Sequence, residues 1–457
     1  MFSSKDISYY LISLGCAKNQ VDSERINGSM ASAGYINTQS PEDADIIIIN
    51  TCGFITEAKE ESIEIIFDAL ETQRPAVGKN VKTFSADGAP PFRDFGRKVA
   101  VVGCLSQRYR EDLARDIPEI DYMYGIPDDR FVARMSEQFC VATAPVNPLR
   151  EPLLPGLSYS YLKIADGCSN NCSYCAIPLI RGPHVSYAPG RILDDARREA
   201  ARGVKELIVV AQDISAYRHN DVDLHELVSR LSCIPGVEWI RLMYCHPDHL
   251  DDRIIAILER EEKIVPYIDI PFQHVSAPLI RSMGRSGDAE TYRALAERLR
   301  KRVPHIRIRS TFMVGYPGET DSCFEELIDF LNNTRLDRVG AFVFSPEEGT
   351  RACGLGDTVP VRVKKERYHR LMALQRKISE GRLADMTGSI VRVLVEERVD
   401  DTTWAGRTEY DAPEVDGIFY LTGFTGTVNS IVKARVAGAL EYDLFGEVIV
   451  EEDAPHT

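Results

Sequence analysis

Between residues 160 and 381 the sequence switches regularly between short apolar runs and helix-period stretches, and this alternation constrains the fold more than any other feature. Strand signals fall at Tyr161–Ala165, Glu206–Ala211, Trp239–Tyr244, Tyr267–Ile270, Ile306–Val314 and Arg338–Phe344. Helical stretches lie between them at Ile192–Arg202, Leu224–Leu231, Asp251–Glu259, Ala289–Arg302 and Ser322–Asn332, and Val361–Glu380 closes the series. Repeated strand–helix units give a parallel sheet. Six of them predict a partial (β/α)6 barrel, with its active site at the C-terminal ends of the strands.

The first of those ends carries Cys168-Ser169-Asn170-Asn171-Cys172-Ser173-Tyr174-Cys175. Three thiols at spacings of four and three can surround one metal centre and leave one position without a protein ligand. A four-iron cluster ordinarily takes four Cys, and a metal site with an open position is a catalytic arrangement. The competing readings are a chance clustering of three of the chain's eleven cysteines or a zinc knuckle. Zinc sites usually pair two Cys-x-x-Cys units or add His at fixed spacing, and neither follows here.

Residues 1–140 show a second α/β pattern. Tyr9–Leu14 is strand-like and ends in Gly15-Cys16; Asp45–Asn50 is a continuous β-branched run ending in Thr51-Cys52-Gly53; Lys98–Val102 ends in Gly103-Cys104. Ser23–Ala33, stopped by Gly34, and Ala58–Glu71 read as helices. Continuous apolar strands belong to buried parallel sheets, and ligands of open α/β sheets bind beyond the carboxyl ends of the strands. Three of three strands ending in Cys predict a second cluster site at Cys16, Cys52 and Cys104. The alternative is that each is a buried structural Cys, a common fate of that residue. Thr72–Arg97, rich in Gly, Pro and charge, reads as an exposed insertion.

Four prolines between Cys140 and Tyr159 mark 141–159 as a linker. After 382 the period shortens. Ile390–Glu396, Thr402–Thr408, Ile418–Leu421, Val428–Val436 and Leu444–Val450 predict a small antiparallel β-barrel over 382–457. This last segment holds six Lys and Arg against fifteen Asp and Glu, a net of −9 out of −15 for the whole chain. So acidic a chain is not a general nucleic-acid binder, and its surface favours encounter with a basic protein. No apolar run approaches a membrane span and no signal peptide opens the sequence. Eleven Cys are therefore expected in a reducing cytoplasm, as metal ligands or buried hydrophobes.

Together these residues resemble the radical S-adenosylmethionine (SAM) superfamily, through Cys168-x-x-x-Cys172-x-x-Cys175, and within it the methylthiotransferases with a C-terminal TRAM-like module. The stretch Leu14-Gly15-Cys16-Ala17-Lys18-Asn19-Gln20-Val21-Asp22-Ser23-Glu24 is similar to the branch that modifies an aspartate of small-subunit ribosomal protein S-twelve. So are Val210-Ala211-Gln212-Asp213, Pro271-Phe272-Gln273-His274-Val275-Ser276 and Phe344-Ser345-Pro346-Glu347-Glu348-Gly349-Thr350, and the family stretch Met283-Gly284-Arg285 is present. Pro183-His184-Val185-Ser186-Tyr187 and Phe344 depart from the family pattern.

The resemblance implies two [4Fe-4S] clusters. One, on Cys168, Cys172 and Cys175, would bind SAM; an auxiliary one, on Cys16, Cys52 and Cys104, would carry the sulfur. It implies that one SAM donates methyl to sulfur, that a second yields a radical, and that a methylthio group is placed on the β-carbon of an aspartate. An electron donor such as flavodoxin or ferredoxin would serve it. SAM contacts are expected at Tyr174, Gln212, Asp213, Gln273, His274 and Arg309, with no residue assigned as acid or base. A tRNA methylthiotransferase shares the fold, and a non-catalytic iron–sulfur or zinc scaffold is the reading from another class.

Overall fold

The computed structural model describes residues 2–72, 96–147 and 149–449, so 73–95 of the expected insertion lie outside the described residues. By internal contacts the chain divides into two units, Met1–Pro155 with Ala176–Gly182, and Gly156–Cys175 with Pro183–Thr457.

The first unit is built on a five-stranded, all-parallel sheet. Its order is Ile36–Asn37, Ser8–Ser13, Ile46–Thr51, Lys98–Gly103 and Tyr122–Met123. The run of four isoleucines follows from burial on both faces. Ile46 and Ile48 pack with Tyr9, Met30 and Phe131, whereas Ile47 and Ile49 pack with Ile66, Leu105 and Leu113. Successive side chains of a strand point to opposite faces, so a strand covered twice must be apolar throughout. The helix Ala17–Ala33 begins six residues before the expected Ser23 and ends at Gly34, whose left-handed φ of 96° suits the C-cap. The stretch expected as a linker is fastened to this unit: Val141–Ala142 pairs with Phe2–Ser3, and buried Arg150 forms an ion pair with Glu24.

In the second unit six parallel strands follow one another in chain order: Tyr159–Lys163, Glu206–Val210, Trp239–Leu242, Ile264–Asp269, Arg307–Val314 and Arg338–Val343. The first and last remain free edges, so the barrel is partial. The helix Val361–Ala384 leads into a closed five-stranded barrel of Ile390–Arg398, Thr403–Thr408, Phe419–Thr422, Ile431–Ala439 and Leu444–Val448.

Segment Glu396–Asp416 of that small barrel faces the starts of the large barrel's strands. Arg407 reaches Glu206 at 2.7 Å, Asp411 accepts from Arg338 at 2.6 Å, and Asp416 accepts from the Tyr267 hydroxyl at 2.7 Å. Much of the terminal segment's acidity is therefore matched internally. The carboxylates at its surface include Glu397, Asp400 and Glu447, together with Asp401 and Glu441, which pair with Arg398 and Arg376. Among the described residues no helix is long and apolar enough to cross a membrane.

Candidate functional site: two cysteine triplets

In the first unit the sheet register sets Ser13 beside Asn50 and Thr51 beside Gly103, so Cys16, Cys52 and Cys104 emerge at one sheet edge. Glycine makes the approach possible. Gly15 has φ +88°, and a Cβ there would lie 2.7 Å from Cys52 Cβ and 2.8 Å from its Sγ. Gly53 packs with equal closeness on the Leu105 backbone. Gly15→Ala, strained in φ and overlapping Cys52, is expected to lower bound iron and sulfide toward the content of one cluster, measured colorimetrically after reconstitution.

Arg181 completes this site. Its side chain is buried and donates to Asp22 Oδ2 at 2.9 Å, to Asn19 Oδ1 at 2.7 Å and to Cys104 Sγ at 3.4 Å. Burial pushes the Cys104 thiol up to about 11 and raises Cys52 as well, with Arg181 acting against both. Cys16 is exposed; desolvation by the crowded strand ends opposes its ionisation, but Lys18, the Asn19 N–H and Arg181 outweigh it and hold the thiol below its ordinary value. Sequence reasoning assigned Arg181 no role. Its only signal was its place in the Arg181-Gly182 pair, 77 positions from Cys104.

In the second unit the Cys168–Cys175 loop leaves the first barrel strand and is fastened at several points. The Asn170 backbone N–H donates to Cys168 Sγ at 3.4 Å, and the Asn170 amide donates to Asp213 at 2.7 Å. Ser173 N–H donates to Met283 O, Ala352 N–H donates to Ser173 O, both at 2.8 Å, and Arg351 holds Asn171 O. Burial pushes the Cys168 thiol up. Among the described residues no three His, Cys, Asp or Glu are drawn tightly enough to hold a single metal ion.

The residues expected to contact SAM separate into two sets. Gln212 and Gln273 each carry a buried side-chain oxygen with no hydrogen-bond partner. Gln212 otherwise donates to Asp166 at 3.3 Å. Gln273 stands at φ +72° and is locked by backbone bonds to Thr311 O and from Met313 N. Tyr174 accepts from Arg285 at 3.2 Å. Such orphaned buried acceptors are uncommon in folded proteins and fit a site that a polar ligand completes.

Asp213, His274 and Arg309 have protein partners as well, although His274 Nε2 is, like the two glutamine oxygens, buried without a hydrogen-bond partner. Asp213 is buried, and although burial opposes its charge, bonds from His249, Ser215 and Asn170 hold it well below the usual carboxylate range. His274 is fully buried, accepts from Ser276 N–H through Nδ1 and turns Nε2 toward Glu319 at 3.9 Å. Arg309 pairs with Asp269 at 3.4 Å and approaches Asp416 at 3.8 Å.

Beside them, burial and then Arg285 push His246 down to about 4. A base with a depressed folded pKa binds fewer protons folded than unfolded, so stability falls as pH drops from about 6.5 toward 4. His246→Asn is expected to flatten this part of the melting-temperature profile of the apo-protein. An unchanged slope would refute it.

Three family models match: the Radical SAM superfamily over 162–331, the Uncharacterized protein family UPF0004 over 8–125, and the TRAM domain over 387–449. The chain is 39% identical to the ribosomal protein uS12 methylthiotransferase RimO of Pelobacter propionicus, covering 98% of this chain and 99% of that one. It is 41% identical to the protein of the same name from Desulforudis audaxviator, over 96% of each. The chain belongs to the RimO family of radical SAM methylthiotransferases. Its relatives are named as methylthiotransferases, and both cysteine triplets stand within the matched segments, the loop triplet in the Radical SAM match. The radical SAM methyltransferase TsrM of Kitasatospora setae, solved with cobalamin and a [4Fe-4S] cluster, matches at TM-score 0.50 and 13% identity over 74% of this chain and 75% of that one. That likeness shows a shared fold.

Proposed function

We propose that this chain places a methylthio group on the β-carbon of an aspartate in ribosomal protein uS12. The supporting observation is the joining of two cysteine triplets in one chain, the strand-end set Cys16, Cys52, Cys104 and the loop set Cys168, Cys172, Cys175, in a relative of RimO over nearly its whole length. Once bound, a cluster and SAM at the loop supply a radical able to take hydrogen from an unactivated carbon, and a second cluster at the strand ends supplies the sulfur site.

The chain's own residues do the rest. The anchors Asn170, Ser173 and Arg351 fasten the loop that carries the three thiols. Tyr174, Gln212 and Gln273 are the residues we assign to SAM contact, the two glutamines because their buried oxygens await a donor. Arg181 steadies the strand-end site and places positive charge beside Cys104. The exposed carboxylates of the terminal barrel, Asp400, Asp401, Glu441 and Glu447 among them, repel a polyanion and attract a basic protein. A low-potential one-electron donor such as flavodoxin or ferredoxin would complete the system.

Incubating the reconstituted, reduced protein with SAM and either uS12 or total tRNA, then weighing both, tests the reading. A methylthio gain on uS12 is expected. A gain on tRNA alone would overturn it in favour of the nucleic-acid branch. Absence of deoxyadenosine in either mixture would favour a non-catalytic scaffold.

A further inference from the structure

One charged side chain beside the cysteine loop has no counter-ion. Arg285 is 6% exposed, yet its Nε and Nη2 have no hydrogen-bond partner. Its single side-chain bond runs from Nη1 to the Tyr174 hydroxyl at 3.2 Å, a neutral acceptor. Asp248 accepts instead from the Ser286 backbone at 3.1 Å and Asp288 from the Thr291 backbone at 2.9 Å, and no carboxylate stands within ion-pair distance of Arg285 among the described residues. Burying a cation without a partner is strongly unfavourable.

The turn that carries Arg285 presses on the loop from both sides of Cys172. A Cβ on Gly284 would lie 2.7 Å from Asn171 O, and Met283 O accepts the Ser173 N–H at 2.8 Å. With φ +74°, Gly284 lets the backbone come this close.

We propose that Arg285 is the built-in counter-charge of the radical-generating cluster, raising its reduction potential through a short, water-poor path behind the Cys172–Tyr174 segment. Three thiolates around a four-iron core bring negative charge, and charge near a cluster is a principal determinant of its potential. The two unfavourable charges then offset one another. An orphaned guanidinium destabilises the empty protein, and cluster binding relieves it. The Nε and Nη2 atoms have almost no accessible area. The proposal rests on the loop holding a cluster; wild-type protein that takes up no iron would fail that reading, not this one.

The test compares wild type, Arg285→Met and Arg285→Lys in two states. In the loaded protein, a dithionite titration follows the one-electron reduction of the cluster whose EPR signal changes on adding SAM. Arg285→Met is expected to lower the ratio of reduced to oxidised cluster at a fixed poise about tenfold, equivalent to about 59 mV for one electron. Arg285→Lys, which keeps the charge, should stay near wild type. In the empty protein, Arg285→Met should melt no lower than wild type, because it removes an unpaired buried cation. An Arg285→Met protein that is destabilised when empty and unshifted in potential when loaded would show a packing role and overturn the proposal. If Arg285→Met does not load, the melting comparison and the Arg285→Lys potential decide.

Discussion

Replacing Cys16, Cys52 and Cys104 together by alanine is expected to remove about half of the iron from the reconstituted protein, as one of two clusters goes. It should abolish methylthio transfer while leaving SAM cleavage measurable. The three thiols arise from three neighbouring parallel strands and are brought together by register, not by sequence proximity. The loop at Cys168–Cys175 is held by a separate set of bonds, from Asn170, Ser173, Arg351 and Ala352, so it should survive the change. Iron and sulfide content, with deoxyadenosine measured by chromatography, checks both halves. Undiminished iron would make the strand-end cysteines structural.

The second large effect is on stability. Glu206 is fully buried and bonds Arg241 Nε at 2.6 Å and Arg407 at 2.7 Å, joining the start of a large-barrel strand to the terminal barrel. Burial opposes its charge, and the two guanidinium groups outweigh burial and lower its pKa. Glu206→Gln leaves Arg241, which has no other carboxylate partner among the described ion pairs, buried and uncompensated. Breaking such a pair from one side costs about 3–5 kcal/mol, and the full burial of all three side chains leaves little solvent screening to reduce it. Urea unfolding should show a loss of that order; a loss below about 1 kcal/mol would mean that solvent or rearrangement supplies a partner. A depressed carboxylate stabilises above its unfolded pKa and loses that contribution as pH falls through its folded one. The wild-type network should therefore weaken only in acid.

Much of this was legible in the sequence, for identifiable reasons. Ile46–Ile49 was legible as a doubly covered strand because a short, continuous β-branched run is of the kind found in buried parallel strands. The Gly-Cys endings at 16 and 104, with Cys52-Gly53, then placed three thiols at strand ends. The helix start at Ala17 was hidden because Lys18, Asn19, Gln20 and Asp22 show no apolar period. Asn19 and Asp22 are buried for another reason, their bonds to Arg181 more than 150 positions away. The partners of Asp213 were hidden for a similar cause. A carboxylate at a strand end does not show in sequence that Asn170, Ser215 and His249 will bond it. The net charge of the terminal segment was read correctly as a sum. What the sum could not show is that Glu396, Asp411 and Asp416 turn toward Arg407 and Arg338 and leave a smaller set of acids at the surface.

The central claim is that the loop's radical chemistry and the strand-end sulfur site act on one basic ribosomal protein. Fragmentation mass spectrometry of uS12 recovered from a reaction with SAM and reductant tests it most directly. A methylthio group on the β-carbon of a single aspartate is predicted, present with the wild type and absent with the Cys16, Cys52, Cys104 triple variant. Unmodified uS12 in a reaction that forms deoxyadenosine, or equal modification by the triple variant, would contradict the account.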